Sequence, residues 1–306
     1  MKLNRSFFAA FGVAVIALSV SGCKKNIEMI KVKGGTFSTA QINQLSEIKI
    51  AQKDIMDENQ PDFSMSVSDF YISKFEVTQE LYKQVMQEST DANCEPSYFC
   101  TDIYENENQG LRPVERVTWF DAVLFCNMLS EKENLDPVYE IAGIQRYSKD
   151  GAIKSASVSA DFSKNGYRLP THAEWLWAAS GGTKEKRIYK YSGSDDIDEV
   201  AWHSFNSKEL THEAGLKNAN ALGIYDMTGN VAEWCWDYIW SEQFENKSYV
   251  DYAGPEEGKY RYIKGGCFVN VSAGATFPCE TFEKLGGAEY LRYYNTGFRV
   301  VRNAKK

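Results

Sequence analysis

The chain has 306 residues, a formal net charge of −8, and 14% aromatic residues that include seven Trp and 18 Tyr. An acidic balance with no stripe of clustered Lys and Arg excludes a nucleic-acid partner, because phosphate contacts need such clusters. The aromatic content is enough for a large mixed core, and no internal repeat or low-complexity tract interrupts the chain.

Lys2 and Arg5 precede an uncharged apolar run from Phe7 to Val20, followed by Val20-Ser21-Gly22-Cys23. The run is too short to span a bilayer, and the small residues read as a cleavage site. Ending on a cysteine, it resembles a bacterial lipoprotein signal; an ordinary signal peptide with a chance cysteine is the alternative. The resemblance implies a signal over residues 1–22, a lipidated tether over 23–27 with palmitate-type chains on Cys23, and a domain over 28–303. The membrane is then a partner through the anchor. Lys24 after the cysteine, rather than Asp, implies a cell-envelope location at the outer membrane.

Ile30, Val32 and the Gly34-Gly35 turn read as an early strand, and residues 38–66 as an irregular segment. Thr78 caps a helix that carries Leu81, Val85 and Met86 on one face. A polar, loop-rich stretch from Gln87 to Leu111 holds Cys94 and Cys100. Thr118 and Asp121 then form a capping box ahead of an apolar stripe through Trp119, Ala122, Val123, Cys126 and Leu129. Residues 145–160 suggest a hairpin. A third helix follows Pro170, with Thr171 and Glu174 as its capping box and Trp175 and Ala178 facing inward. Beyond residue 180 the chain consists of strand-sized pieces separated by turns.

Export places six further cysteines where disulfides persist. Cys94 and Cys100, in CEPSYFC, can close a short bridge, and Cys267 and Cys279 can pair within a C-terminal loop. Cys126 reads as a small buried residue. No spacing is a zinc pattern, and connectivity stays open.

Four blocks occur in order: FYISKFEVTQELY from Phe70, RPVERVTWFDAVLFC from Arg112, GYRLPTHAEW from Gly166, and NANALGIYDMTGNVAEWCW from Asn218. Lys264-Gly265-Gly266 and Gly297-Phe298-Arg299 follow. Together they resemble the sulfatase-modifying-factor family, whose type member is the formylglycine-generating enzyme. The resemblance implies an α+β, C-type-lectin-like fold that is rich in loops. It also implies a structural calcium held by Asp226, the Gly229 and Val231 carbonyls and Glu233. Hard oxygens on a flexible turn suit that ion. The alternative is that Asp226 and Asn230 cap turns and Glu233 pairs with an arginine such as Arg299.

The resemblance fails at the catalytic point. The family enzyme binds copper(I) through two cysteines beyond a Gly-Gly-Ser-Trp turn, and soft thiolates are what copper(I) requires. Here the turn is Gly265-Gly266-Cys267-Phe268, and Asn270 and Ala275 stand at the cysteine positions. Copper is therefore not expected, and Cys267 and Cys279 are the weak catalytic candidates that remain. His172, His203 and His212 share no metal-ligand spacing, and no Gly-x-Ser-x-Gly elbow occurs.

The stretch from Phe268 to Thr296 offers Asn270, Phe277, Phe282, Tyr290, Tyr293, Tyr294 and Asn295 as contacts for a protein or glycan ligand. Tyrosine gives contact area at low entropic cost, and related spirochaete and phage proteins display a hypervariable surface here. The equal alternative is that these aromatics pack on the domain's own core. The leading expectation is a ligand-binding lipoprotein without turnover. The alternatives are a divergent oxidase or protein-maturation factor, and a structural part of an envelope complex.

Overall fold

The computed structural model describes residues 27–38, 64–89, 91–101, 106–239, 247–269 and 288–304. The strands are β1 (Met29–Val32), β2 (Gly35–Ser38), β3 (Ser64–Val67), β4 (Phe70–Ser73), β5 (Tyr139–Arg146), β6 (Ile153–Ala160), β7 (Ala232–Tyr238), β8 (Ser248–Val250), β9 (Arg261–Lys264), β10 (Thr296–Gly297) and β11 (Val301–Asn303). Four helices occur among the described residues: α1 (Gln79–Met86), α2 (Trp119–Lys132), α3 (His172–Ala179) and α4 (Ile197–Val200). The fold is mixed helix and sheet, with small sheets and many loops.

Each long helix starts where local chemistry dictates. Thr78 Oγ1 accepts from Leu81 N at 3.3 Å and caps α1. Reciprocal capping boxes open α2 (Thr118 with Asp121) and α3 (Thr171 with Glu174), satisfying amide groups that the helix itself leaves unpaired. The expected helices are thus present, and Cys126, Trp175 and Ala178 are fully buried on them.

Sheet pairing is mostly long-range. The orders are β1-β4-β11, β10-β7-β9 and β2-β3-β8, with β5-β6 as a separate hairpin. The first sheet joins the two ends of the domain on β4, where Ile72 faces both Ile30 and Val301. Gly34 makes the turn into β2, since a Cβ there would lie 2.2 Å from Val67 O. Two expectations are corrected. Ser64–Val67 is a strand rather than irregular chain, with Met65 and Val67 buried in alternation. The hairpin begins at Tyr139, earlier than residue 145, and a bulge between Ala142 and Gln145 breaks the alternation that would have marked it.

Two apolar clusters support the loops. One packs α1 and α2 on Trp234, Phe268 and Phe298, with Tyr82 stacked on Phe125 at 5.4 Å. The other packs α3 against the first sheet through Trp175, Trp177, Phe70 and Ile72. The buried tryptophans have hydrogen-bond partners: Trp119 Nε1 donates to Cys235 O at 3.0 Å and Trp234 Nε1 to Val117 O at 3.1 Å.

Candidate functional site

The turn ahead of β7 carries the oxygens expected to hold calcium. Asp226, Gly229 and Asn230 all adopt left-handed backbone (φ 53°, 80° and 54°). At Gly229 a Cβ would lie 2.3 Å from Trp202 O. Asn230 Oδ1 accepts from His212 N, and its Nδ2 donates to Glu76 Oε2 at 2.8 Å, so this asparagine ties three segments together.

Glu233 is committed to the arginine named as the alternative. Arg299 Nε donates to Glu233 Oε2 at 2.7 Å, Arg299 Nη2 to Oε1 at 2.6 Å, and Trp175 Nε1 to Oε2 at 2.7 Å. Asp226 differs: Oδ2 accepts from Gly215 N at 2.7 Å, while the buried Oδ1 has no partner. Burial, with Asp226 and Glu233 nearby, pushes Glu76 well above the usual carboxylate range, and burial raises Asp226 to about 6. Three buried carboxylates thus face one guanidinium. In their ionised forms they leave a formal excess of negative charge, which protons or a cation must offset. The orphan oxygen leaves Asp226 as the carboxylate of the expected set that is still open to a cation, Glu233 being committed to Arg299.

The second constellation is aromatic. Tyr290 and Tyr294 are exposed (50% and 47%), and Tyr293 and Asn295 are half-buried. Tyr294 does not stand alone: its ring lies 6.1 Å from Tyr98, 6.3 Å from Phe99 and 6.0 Å from Phe268. Tyr98 is 60% exposed, whereas Phe99 and Phe268 are buried beneath. The expected residues therefore split between solvent-facing and packing positions. Asn295 Nδ2 donates to Cys267 Sγ at 3.3 Å, which turns that amide inward. Asn270, Phe277, Phe282 and Cys279 lie outside the described residues, as do Ala275 and the lipidation candidate Cys23.

Tyr98 was not among the residues anticipated, and its position depends on a buried carboxylate. Glu115 accepts from Tyr98 N and Phe99 N, both at 3.0 Å, and burial raises it to about 7. The available signal was an aromatic pair inside the Cys94–Cys100 loop. Those two cysteines are not bridged: Cys94 packs against the α1–α2 core, whereas Cys100 is exposed, so their side chains serve different environments. Cys267 is completely buried, which counts against a solvent-reachable thiol. The histidines are structural. His212 bonds Glu107 Oε1 (2.7 Å) and Ser207 O (2.8 Å), and His203 bonds Asp198 (2.9 Å). His172, the first residue of α3, stacks on Tyr262 at 4.1 Å.

Among the described residues no group of three or more His, Cys, Asp or Glu is placed to hold a metal, and no helix is long and apolar enough to cross a membrane. At the two positions that the resemblance sets against the copper cysteines, the sequence has the amide of Asn270 and the methyl group of Ala275.

Comparison with known proteins agrees with the fold. The chaperone protein LppX of Paenibacillus barcinonensis is 36% identical over 95% of this chain and 96% of its own length. The formylglycine-generating enzyme of Thermomonospora curvata is 35% identical over a shorter stretch, 34% of this chain and 39% of that enzyme. Among solved structures, Treponema denticola variable protein 1 superposes with a TM-score of 0.72 at 31% identity, over 90% of this chain and 95% of that one. The description "Sulfatase-modifying factor enzyme 1-like domain" matches residues 17–304. The chain belongs to the sulfatase-modifying factor enzyme 1-like family.

Proposed function

We propose that this protein is an exported, lipid-anchored member of its family that binds a partner protein through an aromatic surface, without copper-dependent oxidation. The observation that carries the reading is the ring cluster of Tyr98 and Tyr294. Two exposed tyrosines from distant loops meet over buried Phe99 and Phe268, close to the turn where the enzyme's chemistry resides. Rigid aromatic shelves of this kind are common anchors in protein interfaces. The substitution of both copper positions removes the soft ligands that turnover would need. LppX, similar along nearly its whole length, is named a chaperone, which favours a protein over a glycan as the partner. Lipidation at Cys23 would place the domain in the cell envelope. Calcium would be structural, held by Asp226 and the two carbonyls.

The test is photocrosslinking from position 290 in producing cells, with the Y98A/Y294A double variant, carrying the same crosslinker at 290, as comparison. A specific crosslinked protein that is lost in the variant, at unchanged thermal stability, supports the reading. Stoichiometric copper(I) binding with oxygen consumption on a thiol peptide, abolished by C267A, replaces it with the oxidase. Calcium is checked separately: EDTA should lower the melting temperature of wild type by a few degrees and leave D226A unaffected.

A further inference from the structure

A cavity of about 760 Å³ beside the N-terminus of α3 shares no residue with the aromatic surface or the 226–233 turn. Its size falls within the range of small-molecule sites, about 300–1,000 Å³. Its floor is electrically closed. Arg168 and Glu174, both nearly buried, are joined by two bonds of 2.6 Å, and Arg168 Nη2 also donates to Asn303 Oδ1 at 2.7 Å.

Two parts of its lining differ in character. One is built from the Ser68–Asp69 turn and Asp251. Ser68 N and Oγ both donate to Asp251 at 2.6 Å, and Gly34 N donates to Asp69 Oδ1 at 2.8 Å. These bonds fix two exposed carboxylates that retain lone pairs; the Gly34 amide holds Asp69 below its usual range, and exposed Lys31 lies 3.6 Å from its Oδ2. Asp251 sits in left-handed backbone (φ 47°), a conformation that Asp tolerates better than most residues.

The cavity is also lined by the turn over residues 162–165, tied to β11 by Asn303 Nδ2 donating to Phe162 O and Lys164 O. Asn165 Oδ1 accepts from Asp136 N at 2.9 Å, which orients the amide and leaves its Nδ2 as a donor. Lys164 adds an exposed ammonium. One part of the lining therefore accepts and is anionic, with Lys31 partly offsetting Asp69, while another donates and is cationic, and the Arg168–Glu174 pair is neutral as a whole. We propose that this cavity binds a small zwitterion of the amino-acid or short-peptide class, its ammonium against Asp69 and Asp251 and its carboxylate against Lys164 and Asn165.

The proposal is independent of the aromatic surface and is tested on the full mature chain. The probes are the twenty free amino acids, Ala-Ala, its C-terminal amide and its N-acetyl form, with binding read by titration calorimetry. Ala-Ala or at least one amino acid should bind in the millimolar range, and each blocked form several-fold more weakly, as solvent-screened charge pairs allow. K164M should erase the penalty for the amide, and the D69N/D251N double variant the penalty for acetylation. If the double variant fails to fold, the exposed K164M substitution alone decides. The proposal is overturned if no probe binds at about 10 mM, or if neither substitution changes the preference for free termini.

Discussion

Asp237 is fully buried on β7, with Oδ2 accepting from His172 N at 2.5 Å and Oδ1 without a partner. Burial raises it to about 7, as it does Glu115. Both groups bind a proton more tightly in the folded chain than in the unfolded one. Their contribution is therefore complete below about pH 4 and is lost as pH rises through about 7. The melting temperature should fall between pH 5.5 and pH 8, and D237N should flatten that fall; an unchanged slope in D237N would assign it to other groups. Arg299 presents the opposite case, a buried cation whose charge is answered by Glu233. R299M strands Glu233 beside Glu76 and Asp226 and should cost about 3–5 kcal/mol in urea unfolding. R299K should recover only part, because an ammonium cannot reproduce the planar two-point contact.

Elements were legible in proportion to how local their causes are. The three long helices follow from Thr78, Thr118 and Thr171, the last two with a carboxylate three residues on, features that span four residues. T171A should lower stability by about 1 kcal/mol, a loss of about 2–4 °C measurable by thermal unfolding. The strands were harder to see, because β4 is defined by partners some 40 residues before it and more than 200 after it. The β5–β6 hairpin shows its register only once its bulge is known. The same contrast holds at the site. Tyr290 and Tyr294 stand between family landmarks and could be picked out, whereas Tyr98 joins them only through Glu115, 17 residues downstream. Glu233 was visible as a charged ligand, but its choice between a cation and Arg299 depends on contacts 66 residues apart. G229A tests the turn that sets this geometry. A left-handed alanine driven towards Trp202 O should destabilise by more than the roughly 1 kcal/mol by which an unstrained glycine-to-alanine change stabilises.

At the scale of the molecule, β4 is the strand that closes the domain. It receives β1 from the N-terminal side and β11 from the C-terminal side, and Val301 also pairs backbone to backbone with Arg168 in both directions. The last strand thus connects the sheet to the Arg168–Glu174 box that starts α3. Val300 and Val301 are completely buried, and each should contribute about 1.5–3 kcal/mol of burial relative to exposure. Truncation after Arg299 removes both valines, leaves one edge of β4 unpaired, and frees Arg168 from its backbone partners. That loss approaches the whole stability of an ordinary domain, so this truncated chain should be unfolded or rapidly cleaved under limited proteolysis. Truncation after Ala304 keeps every one of these contacts and should melt with wild type. Equal protease resistance in the two truncations would mean that the sheet does not couple the chain ends, and that α3 and the 226–233 turn hold the fold without it.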